Sequence, residues 1–148
     1  MSFLSTARTI LPPGTWTASD RITLGYDERL IRRKRLITDS GASVMVDLAD
    51  TTSLTPGTAL QLDDGRVIEI AAAEEPVVVI TGNLPRLAWH IGNRHTPCQI
   101  SATRLIIRRD PVLEAMLTQL GAQISLAILP FHPEGGAYGL GRTMGHDH

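Results

Sequence analysis

The sequence predicts an α+β protein, a small all-β domain followed by a ferredoxin-like βαββαβ domain. Three observations predict it. Apolar and polar residues alternate from about Ile22 to Ile70, the period of half-buried strands. Two later segments carry a cap residue followed by a first-turn proline, Asn83 before Pro85 and Asp110 before Pro111. Around those helix starts, short apolar runs fall in the order β-α-β-β-α-β.

Taken in order, Ile22, Leu24 and Tyr26 interleave with Thr23, Gly25 and Asp27, and Val44, Val46 and Leu48 with Ser43, Met45 and Asp47. Asp39-Ser40-Gly41 is a turn between Arg35–Thr38 and the strand that follows. Pro56-Gly57 marks another turn, and Asp64-Gly65 predicts a hairpin between Leu60–Leu62 and Val67–Ile70. No helix-period segment interrupts this half. Val77-Val78-Val79-Ile80 is a continuous β-branched run, predicting a strand covered on both faces. Leu84, Leu87, Ala88 and Ile91 then recur at helical spacing until Pro97. Gln99 to Ser101 and Arg104 to Ile107 read as two short strands. The second helix carries Leu113, Met116, Leu117 and Leu120 and closes at Gly121, and Ile124 to Leu129 ends at Pro130. The predicted domains are residues 1–73, residues 74–131, and a flexible Gly- and His-containing tail over residues 132–148.

With 148 residues, 43% hydrophobic and 20% charged, the chain has enough apolar material to bury a core and is not of disordered composition. Aromatics are only 4%, so that core is built from Leu, Ile, Val and Ala. A net charge of −1 supplies no long-range attraction to nucleic acid or to an anionic membrane, and neither is an expected partner. The start has no signal-peptide pattern, no segment has bilayer length, and a single cysteine, Cys98, forbids an internal disulfide. The expected compartment is the cytoplasm.

Chemistry-bearing residues concentrate around His90 and Gly92-Asn93-Arg94-His95. Imidazole is the commonest side-chain ligand for nickel, copper and zinc. His90 and His95, five residues apart, differ by roughly 140° around a helix axis and make a poor chelate within one chain. Two routes complete a site: a two-fold dimer that brings the same histidine from both chains, or the tail, through His146 and His148. The plain alternatives are a helix-end histidine compensating the helix dipole, a surface His90, a buried apolar Cys98 and inert terminal histidines. The basic run from Arg29 to Arg35 is either a solvated strand edge that blocks sheet pairing, the favoured reading, or a dock for an acidic partner or a nucleic-acid backbone. No Walker loop, G-x-S-x-G elbow or H-E-x-x-H pair is present, and a His95–Cys98 nucleophile pair has no third group, so no enzyme is expected.

Trp89-His90-Ile91-Gly92-Asn93-Arg94-His95-Thr96-Pro97-Cys98-Gln99-Ile100 is similar to the H-x-G-N-R-H-x-P-x-Q-I segment of the urease accessory nickel chaperones, the UreE family. Leu129 to Gly139 resembles that family's P-F-x-P-E-G-G-A-Y-G stretch. The resemblance implies a homodimer whose C-terminal domains meet head to head, with His95 of each protomer on one interfacial Ni2+. It also implies a peptide-binding N-terminal domain and delivery of nickel to apo-urease, with accessory proteins that include a GTPase. His146 and His148 are then auxiliary metal donors, and His90, Asn93, Arg94 and Cys98 supporting residues. Some members carry an H-x-H pair where this chain has Arg108-Arg109-Asp110, and some end in polyhistidine tails. Their absence here implies about one ion per dimer and no bulk storage. Zn2+ or Cu2+ fits the same donors in vitro. The competing readings are a peptide-binding module without metal and a Cys/His enzyme.

Overall fold

The structure, a computed structural model, describes residues 5–135. Strands dominate it, with two α-helices, and the chain divides into two compact units between Ala73 and Glu74.

The first unit holds β1 (Ser5–Leu11), β2 (Asp20–Leu24), β3 (Leu30–Ile37), β4 (Ser43–Ser53), β5 (Ala59–Leu62) and β6 (Val67–Ala72). They form one sheet in the order β2-β6-β5-β1-β4-β3, with β1–β4 and β2–β6 parallel. The sheet curls on itself. Asp39, in the turn after β3, donates its N–H to the Arg21 carbonyl of β2 at 2.7 Å, and Thr23 donates its hydroxyl to the Asp39 carboxylate at 3.0 Å. Curling turns the alternate residues Ile22, Leu24, Val44, Val46, Leu48, Leu60, Leu62, Ile68 and Ile70 into one interior cluster.

Two sequence expectations change here. The expected strand through Tyr26 stops at Leu24, and Tyr26–Glu28 form one 3-10 turn in the half expected to have no helical segment. The cause is local: Glu28 donates its N–H to the Gly25 carbonyl at 3.0 Å, and its carboxylate accepts the Gly25 N–H at 2.8 Å. The basic run also divides. Arg32 to Arg35 are exposed on β3, the last strand of the sheet order, but Arg29 is buried, donating to the Leu24 carbonyl at 3.0 Å with its guanidinium 5.6 Å from the Tyr26 ring centre.

The second unit holds β7 (Glu74–Thr81), α1 (Leu84–Asn93), β8 (Gln99–Ile100), β9 (Leu105–Arg108), α2 (Pro111–Gln119) and β10 (Gln123–Pro130). Its sheet runs β10-β7-β9-β8, every pairing antiparallel. β7 and β8 are therefore parallel with β9 between them, the split βαβ arrangement of the ferredoxin-like fold. Val78, Ile80, Leu105 and Ile107 face the helices and pack with Leu87, Ile91, Leu113 and Leu117. Val77 and Ile106 are buried on the opposite face, while Val79 is half-buried, so β7 is covered on both faces along most of its apolar run. Pro76 lies beyond the last residue paired to β9, where its missing N–H interrupts no ladder on that side.

After β10 the chain leaves one edge of the sheet and reaches the other. Phe131 is fully buried, the His132 N–H meets the Gln99 side-chain oxygen at 2.9 Å, and the Glu134 N–H meets the Cys98 carbonyl at 2.8 Å. Residues 131–135 form a strap from β10 to the start of β8. Of the expected flexible tail, everything from Gly136 onward lies outside the described residues.

Candidate metal centre

α1 begins where Asn83 accepts the Arg86 N–H on its side-chain oxygen at 3.3 Å and Pro85 occupies the first turn. Leu87 and Ile91 hold it to the sheet, which fixes where its C-terminus points. That end is a Schellman motif: the Thr96 N–H reaches the Ile91 carbonyl at 3.4 Å and the His95 N–H reaches the Gly92 carbonyl at 2.9 Å. The motif needs a left-handed residue at His95, whose φ is +57°. α2 ends in the same way, with the Ala122 N–H on Leu117 and the Gly121 N–H on Thr118, both at 3.0 Å, and there the left-handed residue is Gly121 at φ +89°.

One chain thus uses the same motif twice, once with the residue it favours and once with a histidine. A β-carbon in the left-handed region costs about 1–2 kcal/mol. Among the described residues His95 is the one non-glycine residue with positive φ. Strain of this kind persists where the side chain at that position is needed. Pro97, read from the sequence as the end of the helix, follows a helix that His95 has already closed.

The His95 side chain is exposed and lines a shallow depression of about 410 Å3 with Thr96, Pro97, Arg108, Arg109 and Asp110. Two cations, Arg108 and Arg109, share this depression with the imidazole. Arg109 points Nε at Glu114 Oε2 (3.0 Å) and a terminal nitrogen at Oε1 (3.3 Å), and this pair holds the Glu114 carboxyl below its usual range. Glu114 also accepts the Asp110 N–H at 2.8 Å, and Asp110 accepts the Leu113 N–H on Oδ1 at 3.1 Å. Asp110 is therefore both the cap of α2 and the carboxylate nearest in kind to a metal donor in this depression. The sequence reading used it as a cap and placed it where some family members carry an H-x-H pair; its position beside His95 depends on β9 and α1 ending on the same side, which spacing along the chain does not reveal.

The other sequence-derived residues distribute as follows. Asn93 and Arg94 are exposed at the end of α1. His90 is half-buried, with its ring edge-on to Trp89 at 5.0 Å, and is not part of the depression that His95 lines. Trp89 is 63% exposed, a large apolar surface on the same helix. Cys98 packs against the helix core, its thiol directed to the Gln99 carbonyl, and burial pushes its pKa up to about 11. A thiol held protonated at neutral pH is neither a nucleophile nor a ready metal ligand. His146 and His148 lie outside the described residues. Among those described, no three His, Cys, Asp or Glu side chains converge to hold an ion. No helix among them is long and apolar enough to cross a membrane.

The second unit is thus a split ferredoxin-like domain that presents an exposed, backbone-strained imidazole at the end of its first helix. The model of the N-terminal domain of the UreE urease accessory protein matches residues 7–73, and the model of its C-terminal domain matches residues 67–148. The chain belongs to the UreE family of urease accessory proteins. Its relatives include the urease accessory protein UreE of Cereibacter sphaeroides, 59% identical over all of this chain and 82% of that protein. Those of Rhodobacter capsulatus and Ruegeria pomeroyi are 56% and 57% identical, covering 96% and 99% of their own lengths.

Proposed function

We propose that this protein is a homodimeric nickel metallochaperone that carries Ni2+ to apo-urease during assembly of its active site. The observation that carries the reading is the left-handed backbone of His95, which presents an exposed imidazole at a conformational cost that glycine would avoid. One imidazole is too few donors to hold an ion tightly. A second copy related by a two-fold axis doubles it, and an isologous contact places the same side chain from both protomers at the axis. Trp89, exposed on the helix that ends at His95, supplies apolar surface for that contact.

His146 and His148 serve as auxiliary donors. Eleven residues lie between Glu134, held at the Cys98 carbonyl, and His146, a span of at most about 43 Å when fully extended. His90, Asn93 and Arg94 support the site from the end of α1, and Cys98 supports it by packing. Few donors and an open depression suit transfer over storage, with about one ion per dimer. Zinc or copper competes in vitro for the same nitrogen donors. The residues 1–73 domain binds a peptide segment of a partner in the urease assembly machinery, which includes a GTPase. The protein works in the cytoplasm, where the lone Cys98 stays reduced.

Calorimetric nickel titration of the wild type and His95→Ala, with mass measured by sedimentation, tests this reading. Loss of high-affinity uptake in the variant supports it. Unchanged stoichiometry and affinity overturn it.

A further inference from the structure

Curling of the first sheet leaves a cavity at one end of the unit. The starts of β1, β2, β4 and β6 and the ends of β3 and β5 all converge there, around a mouth of about 310 Å3. Its floor is apolar, made by Val44, Leu62 and Ile68, each at most 3% exposed. Its wall is polar and rich in donors. Arg35 uses one terminal nitrogen on the Ser43 hydroxyl at 2.9 Å. Arg66 uses Nε on Asp64 at 2.8 Å and a terminal nitrogen on the Ser5 hydroxyl at 2.9 Å. A guanidinium carries five N–H donors, so both side chains keep donors to spend.

The one carboxylate in the wall is already occupied. Asp20 accepts the Arg21 N–H at 2.8 Å and the Ser40 hydroxyl, and hydroxyl donors from Ser40 and Thr38 keep it ionised to about pH 2. The lining thus sets two guanidinium groups, Arg35 and Arg66, against one carboxylate that is engaged by donors of its own. Arg35 also ends the exposed cationic series Arg32-Arg33-Lys34-Arg35, which raises the potential at the mouth. Ligand sites recur at the mouths of closed β structures, with apolar floors and a few convergent polar groups.

We propose that this mouth is a carboxylate-binding pocket for a partner peptide, with Arg35 and Arg66 clamping the carboxylate and Val44, Leu62 and Ile68 receiving an aliphatic side chain. The inference deepens the reading of residues 1–73 as a peptide-binding domain, and it does not depend on nickel. The carboxylate is either a chain terminus or an Asp or Glu side chain.

The test is an amide NMR titration of the full chain with three probes. Acetyl-Ala-Ala-Leu with a free terminus carries a terminal carboxylate. Acetyl-Leu-Glu-Leu-amide carries only a side-chain carboxylate. Acetyl-Ala-Ala-Leu-amide carries neither. The expected result is a saturable shift of the Ser5, Ser43 and Ile68 amides by one or both carboxylate peptides, and none by the third. Which of the two binds identifies the source. Arg35→Gln and Arg66→Gln each weaken binding about tenfold, while Arg33→Gln, whose side chain faces Asp47 at 3.9 Å outside the mouth, weakens it less than about twofold. The amide spectrum of each variant reports directly that it is folded. Absence of shifts up to ~5 mM, shifts by the uncharged peptide as well, or equal loss in Arg33→Gln overturns the pocket. Nickel titration of Arg35→Gln, expected to match the wild type, keeps this failure separate from failure of the metal-carrier reading.

Discussion

His95→Gly and His95→Ala, made side by side, separate what the residue does for nickel from what it costs the fold. Both remove the imidazole. Only glycine removes the strain, since alanine keeps a β-carbon at φ +57°. The left-handed region costs an L-residue about 1–2 kcal/mol, and the extra freedom of glycine in the unfolded chain returns about 0.4–1 kcal/mol of that. The net expectation is a C-terminal unit about 1 kcal/mol more stable with glycine than with alanine. With a urea m-value of about 1–3 kcal/mol/M, the midpoint moves up by about 0.3–1 M. Both α-helices belong to this unit, so circular dichroism at the helical band reads its unfolding. Neither variant should take up nickel with wild-type affinity. A glycine variant no more stable than the alanine variant refutes the strain, and one that binds nickel normally refutes the ligand.

Asp110→Ala removes the side-chain acceptor for the Leu113 N–H and should lower stability of the second unit by about 1 kcal/mol in the same urea assay. Iodoacetamide should label Cys98 roughly a hundredfold more slowly than an ordinary thiol of pKa 9.0, because burial raises its pKa to about 11 and leaves correspondingly less thiolate at pH 8. Mass spectrometry over time reads that rate; labelling at the ordinary rate would place the thiol in solvent. The folded Asp20 pKa is depressed, from 3.8 to about 2, so its contribution is present above pH 4 and disappears as pH falls from 3.8 toward 2. Asp20→Asn should flatten the fall in midpoint of the first unit across that window, and an unchanged slope would contradict the hydroxyl donors assigned to it.

The second unit was legible in the sequence because its helix starts are written locally. Asn83 with Pro85 and Asp110 with Pro111 are complete signals within three residues, and the β-branched run at Val77 needed no partner to be read as a strand. β1 was not legible. It sits between β4 and β5 with only Ala7 fully buried, so it lacks the large alternating side chains that mark a strand. Tyr26 continued an alternation that a glycine and a carboxylate then broke. The importance of His95 could be argued from its residue type, but not its backbone: Gly92 and Asn93, the residues that favour positive φ, stand just before it and do not adopt it. The depression around His95 and the mouth at Arg35 and Arg66 each join residues from separate elements, and no spacing along the chain encodes them.

The central place of β7 has a consequence during synthesis. Val77-Val78-Val79-Ile80 leaves the ribosome well before Leu105–Arg108 and longer still before Gln123–Pro130, the two strands that cover its edges. Until then it is a bare, uncharged, β-branched stretch of the kind that seeds aggregation. Glu74-Glu75-Pro76 emerges immediately ahead of it, two like charges and a residue that cannot donate to a ladder, which is the flanking pattern of a gatekeeper. In the finished sheet the same three residues pair with Ile128, Leu129 and Pro130 of β10, so a segment suited to guarding the nascent strand ends as part of the ladder.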